Sequence, residues 1–192
     1  MKELLKKVTE GQNLTREEAA KAMDMMLEGT ASPVLVSAFL TALRMKGETV
    51  DEIVGCTEMM KSKGGSVKLD TDEYIDFVGT GGDGANSFNI STTSMFVCAA
   101  AGVTVAKHGN RAASSKSGAS DLLEALGANI MLEPKQVEQC INETGMGFMN
   151  AMKFHKAMKN VGPIRKEIGI RTIFNMLGPL SNPSNASRQV IG

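Results

Sequence analysis

The sequence predicts an α/β protein in which a small N-terminal all-α domain precedes a parallel-sheet α/β domain. Residues 1–65 contain helix start and stop signals but no run typical of a strand. From Tyr74 onward, short apolar runs alternate with helical patterns, which is typical of a parallel sheet with crossover helices. The 192 residues suffice for one to two small domains.

Four short helices are predicted in residues 1–65, where they form a small bundle. The second and fourth begin with capping boxes at Thr15–Glu18 and Thr49–Glu52, and the third begins at Ser32-Pro33. Because the third helix is almost wholly apolar from Val34 to Leu43, we expect it to be buried on nearly all sides. Sequence alone favours a plain structural cap over one side of the sheet, since an apolar helix usually belongs to a core. The alternative is a dimerisation module.

A glycine-rich segment follows the first predicted strand, the apolar run 75–78. It contains four glycines within six residues, and Asn89–Thr92 then begins a helix that runs to about Ala101. Glycine lets backbone N–H groups converge on one bound group, and the helix N-terminus adds its positive dipole end, so the segment suits a phosphate. The spacing matches neither a nucleotide-triphosphatase P-loop nor a dinucleotide-binding fingerprint. Taken alone, the segment is equally explained as a turn that connects a strand to a helix.

A second polar segment follows the next predicted strand, Val103–Ala106. It begins with Lys107–Arg111, and Ser114–Ser120 then begins another helix. Ligands of open parallel sheets bind at the carboxyl ends of strands, so we expect the two polar segments to face one crevice. Further along, the patterns predict a strand near 129–132, a helix from Pro134, a strand at 145–149, helices at 151–160 and 164–176, an end of regular structure at Pro179, and a strand beginning at 188.

Four linked motifs in this order resemble the anthranilate phosphoribosyltransferase family: Gly79–Asp83, Asn89–Thr92, Lys107–Arg111 and Ser114–Gly118. The resemblance covers the whole chain, including Arg165 and the segment Asn175–Pro183. It implies a phosphoribosyl-binding domain of the nucleoside phosphorylase/phosphoribosyltransferase type. It also implies a helical domain of residues 1–65 to which 163–180 return, and an α/β domain of 74–160 and 186–192 that is incomplete at its C-terminus.

The resemblance implies a function: Mg²⁺-dependent transfer of the phosphoribosyl group from phosphoribosyl pyrophosphate to anthranilate in tryptophan biosynthesis, by a homodimer joined through its N-terminal helices. The implied donor site is Gly79, Gly82, Asp83, Ser87, Asn89, Ile90, Ser91, Thr92, Lys107, His108, Gly109, Asn110, Arg111, Ala112, Ala113, Ser114, Ser115 and Ala119. The implied anthranilate site is Gly79, His108, Asn110, Arg165 and Pro179, and Ser91 is the implied Mg²⁺ ligand.

Simpler interpretations exist for several of these residues. Ser91 and Thr92 could merely cap a helix, Lys107 could be a solvated lysine, and Arg165 could be an exposed surface arginine. His155 is a weaker candidate for a pocket wall.

The sequence departs from the family pattern in three places. Ser87 stands where Thr is usual, and Ala119-Ser120 replaces the common Ser-Ala order. The later Asp-Glu pair of the family's second metal site does not occur in the 192 residues, and Asp51-Glu52 and Asp72-Glu73 precede the motifs and do not replace it. We therefore expect donor binding with little turnover from this chain. A pyrimidine nucleoside phosphorylase and a non-catalytic fragment that binds phosphate or partners are the alternative functions.

The charge balance excludes a general attraction to nucleic acid or to an anionic membrane, because 21 basic side chains match 21 acidic ones. No apolar run is long enough to span a membrane, and the N-terminus lacks the apolar core of a signal peptide. These features predict a cytoplasmic protein. Cys56, Cys98 and Cys140 are odd in number and have no metal-binding spacing, so they are expected to be reduced core residues.

Overall fold

A computed structural model of the chain describes residues 1–79, 88–111 and 117–192. In these residues the elements are α1 (Lys2–Thr9), α2 (Arg16–Leu27), α3 (Pro33–Lys46), α4 (Val50–Ser62), β1 (Tyr74–Val78), α5 (Ile90–Ala100), β2 (Thr104–Gly109), α6 (Ala119–Ala125), α7 (Pro134–Thr144), β3 (Met146–Asn150), α8 (Ala151–Phe154), a 3-10 helix (Lys156–Asn160), α9 (Gly162–Ile168), α10 (Phe174–Leu180) and β4 (Gln189–Ile191).

The chain divides into two compact units. The first unit comprises Met1–Gly64 and His155–Ser181, and the second comprises Gly65–Phe154 and Asn182–Gly192. Residues 155–160 thus belong to the helical unit, whereas the sequence predicted them in the α/β domain.

The first unit is a helical bundle around one apolar core. Both predicted capping boxes form, at Thr15 and at Thr49, and the Ser32 hydroxyl accepts a hydrogen bond from the Leu35 N–H. The prediction that α3 is buried on nearly all sides is wrong for this chain. Its core face is the stripe Val36, Phe39, Leu40 and Leu43, while Val34 and Met45 are 78% and 84% exposed. A bundle this small covers only one face of each helix.

A buried carboxylate ties the connections of the first unit together. Glu52, the last residue of the second capping box, is fully buried. Its Oε1 accepts a hydrogen bond from the Leu14 N–H at 2.9 Å, and its Oε2 accepts from Lys46 Nζ at 3.0 Å and from the Thr49 N–H at 2.8 Å. Burial opposes the charge of Glu52, but these three donors together hold the pKa of the carboxyl below its ordinary value. The sequence predicted only the capping role.

The second unit contains a four-stranded parallel sheet in the order β3-β2-β1-β4, which confirms the predicted sheet type. On one face, Met95 of α5 packs against Phe77 and Val105. On the other face, Val137 and Ile141 of α7 pack with Ala106 and Met149. Because both faces are covered, the central strands bury side chains on both sides, as in other parallel sheets.

Four local predictions are wrong. Residues 129–132 form no strand, because the Asn129 side chain accepts the Met131 N–H and so competes with a ladder. Residues 151–160 form α8 and a 3-10 helix, separated at His155, whose backbone is not helical. The predicted helix 164–176 is divided because Gly169, at φ 68°, ends α9 in the left-handed conformation. Pro179 lies inside α10 rather than ending it.

The three cysteines are free thiols in different surroundings. Cys56 lies in the core of the first unit, where burial raises its pKa to about 12. Cys98 and Cys140 are half-buried, so the prediction of core positions is correct only for Cys56. No helix among the described residues has both the length and the apolar character needed to cross a membrane.

We predict that Gly55→Ala destabilises the protein. A β-carbon at Gly55 on α4 would lie 2.1 Å from the carbonyl oxygen of Arg16 on α2, and a backbone atom cannot move aside without separating the helices. The free energy of unfolding, measured by urea titration, should fall by about 1–3 kcal/mol. Gly162→Ala is the matched control, because a β-carbon there meets nothing within 4 Å. Equal stability of the two variants would show that α2 and α4 are farther apart.

Candidate functional site

Two loops leave the carboxyl ends of the neighbouring strands β1 and β2. The first loop is residues 79–89, and the second loop is residues 110–118. The predicted site residues Gly82, Asp83, Ser87, Ala112, Ala113, Ser114 and Ser115 lie outside the described residues. The residues that flank them are described, and they place both loops at one edge of the sheet.

The far ends of the two loops are joined by a hydrogen bond. Asn89 Nδ2, at the end of the first loop, donates to Ser117 Oγ, near the end of the second, at 3.1 Å. This contact agrees with the prediction that the two polar segments face one crevice.

Helix α5 begins at the end of the first loop without a side-chain cap. Asn89 occupies the N-cap position, and its carbonyl oxygen accepts from the N–H groups of Thr92 and Thr93. The simpler interpretation, in which Ser91 or Thr92 caps this helix, is therefore wrong. Ser91 is half-buried and Thr92 is buried in the first turn, while Ile90 is exposed.

Among the described residues, no cluster of three or more His, Cys, Asp or Glu side chains could hold a metal ion. The candidate ligand Ser91 offers one neutral hydroxyl at the positive end of a helix. Such a donor set suits Mg²⁺ only when an anion supplies the other oxygens, as substrate phosphates commonly do.

Lys107 is a buried cation at the end of β2. Its side chain is 3% exposed in the sheet, and Nζ donates a hydrogen bond to the carbonyl oxygen of Phe77, next to the end of β1. Burial lowers the pKa of this ammonium to about 8, and the negative charge of Asp76 opposes that shift. No ion pair of Lys107 with another described residue is formed. The simpler interpretation as a solvated lysine is wrong.

Asp76 of β1 is a buried carboxylate beneath the two loops. Its Oδ1 accepts the His108 N–H at 3.1 Å, and its Oδ2 accepts from Gln189 Nε2 at 3.2 Å. Burial raises the pKa of Asp76, and hydrogen bonds from Asn182 and His108 act against that rise. The run 75–78 was predicted only as a buried apolar strand, and no role was predicted for Asp76. The sequence signal for it is a single acidic residue within an otherwise apolar run.

The second loop begins with a tight contact and a fully paired arginine. A β-carbon on Gly109 would lie 2.8 Å from the Phe148 ring and 3.3 Å from Ala119, so only glycine fits there. The Asn110 carbonyl oxygen accepts the Ser120 N–H at 3.3 Å. Arg111 forms ion pairs with Asp121 at 2.9 Å and Glu124 at 2.7 Å. These pairs engage its guanidinium, and its backbone N–H donates to Asn110 Oδ1 at 2.8 Å.

The remaining candidates lie in the first unit, except Gly79, which is exposed at the end of β1, and His108, which is buried in β2. Arg165 is half-buried, and its guanidinium lies 5.1 Å from the ring centre of Phe174. Burial lowers its pKa, and it forms no ion pair with another described residue. The interpretation as an exposed surface arginine is wrong. Pro179 is buried in α10. His155 is buried, with Nε2 3.1 Å from the Ser181 carbonyl oxygen.

Comparison with known proteins identifies a family for both units. Residues 2–64 match the helical bundle domain of the glycosyl transferase family, and residues 71–192 match its a/b domain. The chain is 56% identical over 192 residues to an anthranilate phosphoribosyltransferase of Acetivibrio thermocellus, a match that covers 100% of this chain and 56% of the relative. The chain therefore spans little more than half the length of this relative.

Solved structures of similar proteins share the fold. The anthranilate phosphoribosyltransferase of Thermus thermophilus is 45% identical with a TM-score of 0.92, over 98% of this chain and 57% of that one. The Saccharomyces cerevisiae enzyme in complex with PRPP and Mg is 32% identical with a TM-score of 0.85, over 93% of this chain and 54% of that one. The same yeast protein has been solved with 4-fluoroanthranilate, at 28% identity and a TM-score of 0.82, over 98% of this chain and 56% of that one.

Proposed function

The chain belongs to the glycosyl transferase family, and on that premise we propose that its protein transfers the phosphoribosyl group of phosphoribosyl pyrophosphate to the amino nitrogen of anthranilate. The reaction releases pyrophosphate and serves tryptophan biosynthesis. The observation that carries the proposal is the pair of loops at the carboxyl ends of β1 and β2, joined by Asn89 and Ser117 and adjoining the buried cation of Lys107. The names and ligands of the similar enzymes support it.

The chemistry requires charge stabilisation more than acid–base catalysis. The bond that breaks lies at the anomeric carbon, so positive charge develops on the sugar and negative charge on the leaving pyrophosphate. A neutral aromatic amine is already nucleophilic, and its alignment with that carbon is the main demand on the acceptor side. Oriented N–H groups and fixed cations that face the leaving group can each contribute roughly 2–4 kcal/mol in a site with little water.

The N-terminus of α5 and Lys107 are proposed to receive the diphosphate of the donor. The first turn of α5 offers the positive end of the helix dipole and the Ser91 N–H, because the N–H groups of Ile90, Thr92 and Thr93 already donate to Phe88 and Asn89, and Lys107 adds a full positive charge. The other predicted donor residues of the two loops, from Gly79 to Thr92 and from His108 to Ala119, remain predictions. The side chain of Arg111 is paired with α6 and its backbone N–H with Asn110, so its predicted contact with the donor would require one of these partners to be exchanged.

Mg²⁺ is proposed as the cofactor, with Ser91 as its ligand from the described residues. When bound, the ion neutralises charge on the leaving pyrophosphate. Ser91 stands in the uncapped first turn of α5, so its hydroxyl is not engaged in capping. The choice of Mg²⁺ is supported by the yeast relative, whose structure contains PRPP and Mg.

Arg165 is proposed to bind the carboxylate of anthranilate. A guanidinium presents a planar fork of donors that suits a carboxylate, and the stacking on Phe174 restricts its orientation. Because Arg165 is half-buried and has no carboxylate partner among the described residues, an anionic ligand would be its first full counter-charge. Gly79, His108, Asn110 and Pro179 remain predicted members of the same site.

A homodimer in the cytoplasm is proposed as the working state. Val34 and Met45 of α3 and Val50 of α4 are all more than three-quarters exposed, and large apolar side chains exposed on one domain can mark an interaction surface. Association of two copies through this surface would cover it.

We predict that the 192-residue chain binds phosphoribosyl pyrophosphate in the presence of Mg²⁺, measured by isothermal titration calorimetry. Lys107→Met should weaken binding roughly tenfold to hundredfold, because a charge-assisted contact contributes about 1.5–3 kcal/mol. Affinity for the donor should also fall as pH rises through about 8, where Lys107 loses its proton. Lys68→Met, at an exposed lysine of the same unit, is the control. Undetectable binding by the folded wild-type chain would contradict the proposed function.

Arg165→Ala should weaken anthranilate binding roughly tenfold to hundredfold and leave donor affinity within about threefold, because only the acceptor carboxylate loses its partner. Anthranilate fluorescence reports both direct titration in the presence of donor and Mg²⁺ and consumption during turnover. Lys166→Ala changes an exposed cation on the same helix and serves as the control. Equal losses for donor and acceptor would remove Arg165 from the acceptor side.

The dimer surface is tested by sedimentation. We expect a dimer at micromolar concentration, and the double variant Val34→Glu, Met45→Glu should sediment as a monomer with an unchanged circular dichroism spectrum. Val103→Glu, which changes an exposed apolar side chain of the second unit, should leave the dimer intact. A folded wild-type monomer at that concentration would contradict the proposal.

A further inference from the structure

We propose that Asp76 is a positioning residue of the donor site: its buried carboxylate bridges the separated ends of β1 and β2 and is the resident counter-charge of the Lys107 ammonium. The inference rests on the proposed function, since it takes the two loops to be the donor site. It adds a residue that lies in neither loop and contacts no ligand.

The bridge is visible in how the strands pair. Backbone register between β1 and β2 is formed at Tyr74 with Thr104 and at Ile75 with Val105, and it goes no further. One residue later, Asp76 Oδ1 accepts the His108 N–H at 3.1 Å. A ladder bond would instead join that N–H to a backbone carbonyl of β1. A carboxylate inserted between two strands requires a larger separation than a direct backbone hydrogen bond, so the strands diverge here.

Other side chains form hydrogen bonds with the backbone groups of β1 and β2 that no longer pair with each other. Asn182 Nδ2 donates to the Ala106 carbonyl oxygen at 3.0 Å, which satisfies the β2 backbone where β1 no longer reaches it. Lys107 Nζ donates across the same gap to the Phe77 carbonyl oxygen. On its other side, β1 keeps a regular ladder with β4, from Asp76 with Gln189 to Val78 with Ile191. β1 therefore diverges from β2 and not from β4.

This divergence determines where the loops start. The first loop leaves β1 two residues after Phe77, and the second leaves β2 directly after Gly109. Separated strand ends leave space where the two loops begin, and ligands of open parallel sheets bind at the carboxyl ends of strands. Removing the bridge would let the strands close or shift at those points.

The charge environment of Lys107 makes Asp76 its natural counter-charge. Lys107 Nζ contacts the carbonyl oxygen of Phe77, the residue directly after Asp76 in β1, and the Asp76 carboxylate favours the charged form of the ammonium. The elements packed around β2 offer no other: β3 has no ionisable side chain, α5 has only the Cys98 thiol, and the charged residues of α7, Lys135, Glu138 and Glu143, belong to a helix that packs on the opposite face, against Ala106. Tyr74 of β1 donates its hydroxyl to the Ser184 carbonyl oxygen.

The sign of the effect follows from burial. Burial disfavours the charged form of Lys107 and brings its pKa down to about 8, while the carboxylate of Asp76 favours the charged form. Without that negative charge the pKa would fall further, and at neutral pH part of the Lys107 population would be uncharged. A donor diphosphate would then meet a weaker cation.

The test is the variant Asp76→Asn, which keeps size and an acceptor oxygen for the His108 N–H but removes the charge. The first readout is the pH titration of Lys107 in the ligand-free chain, followed by NMR of isotope-labelled lysine side chains and assigned with Lys107→Met. We expect the Lys107 pKa to fall by about one unit or more in the variant, which is roughly a tenfold change in the protonation equilibrium. Glu73→Gln, an isosteric loss of charge at the largely exposed residue three positions earlier, should leave the titration unchanged.

The second readout is the affinity for inorganic pyrophosphate with Mg²⁺, measured by calorimetry at about pH 6.5 and about pH 8.5, on either side of the Lys107 titration. Ionisation of pyrophosphate is common to all variants and cancels in their ratios. Asp76→Asn should weaken binding roughly tenfold relative to Glu73→Gln, because both the gap and the cation are disturbed. A purely structural role would lower the melting temperature without moving the Lys107 titration.

The outcomes are separable. An unchanged Lys107 titration in folded Asp76→Asn overturns the proposal, and so does unchanged pyrophosphate affinity when wild type binds. If Asp76→Asn does not fold, Asp76→Ser gives the same loss of charge in a smaller side chain that water can accompany, and the same two results decide. If the wild-type chain does not bind pyrophosphate, the proposed function fails, while the Lys107 titration still tests whether Asp76 is its counter-charge.

Discussion

The separation of β1 from β2 is the constraint on which the candidate site depends. Parallel strands normally pair along their length, since each unpaired buried N–H or carbonyl group costs free energy. Here the ladder is interrupted well before the end of β1, and side chains of Asp76, Asn182 and Lys107 satisfy the backbone groups that the interruption exposes. The ladder between the two inner strands can therefore end beneath the candidate site without leaving these buried backbone groups unpaired.

Each unit contains a buried carboxylate, Glu52 in the first and Asp76 in the second. Their charges are compensated to different degrees because their hydrogen-bond partners differ. Glu52 accepts three hydrogen bonds, one of them from Lys46 at 3.0 Å, so its charge is locally compensated and its pKa is lowered. Asp76 accepts from neutral donors, and its pKa is raised by burial. The first is a closed structural pair, which is costly to break. Because the hydrogen-bond donors to Asp76 are neutral, its negative charge can act on the ammonium of Lys107.

The sequence was most informative where a local rule decides the structure. Both capping boxes, the parallel sheet and the strand–loop–helix order around β1 follow from short-range patterns, and they came out as predicted. The wrong predictions concern places where one residue overrides the periodic pattern around it. The Asn129 side chain removed a predicted strand, and Gly169 divided a predicted helix. No role was predicted for Asp76 because the strand around it is otherwise apolar. Its role depends on partners in β2 and in residues 182–189, which are distant in the sequence.

A chain with no net charge has no general attraction for anions, so a site for them must depend on individual cations. Several cations already have carboxylate partners: Arg111 pairs with α6, and Lys63 with Asp24 and Glu28. Paired cations on the surface attract little, because the partner and the solvent screen them. Lys107 and Arg165 differ, since burial has removed much of their water and no carboxylate pairs with them among the described residues. A buried cation gains more from a bound anion than a solvated one does, because it has lost the water that would otherwise stabilise its charge. We propose that selectivity for anions resides in these two side chains and not in the overall field of the protein.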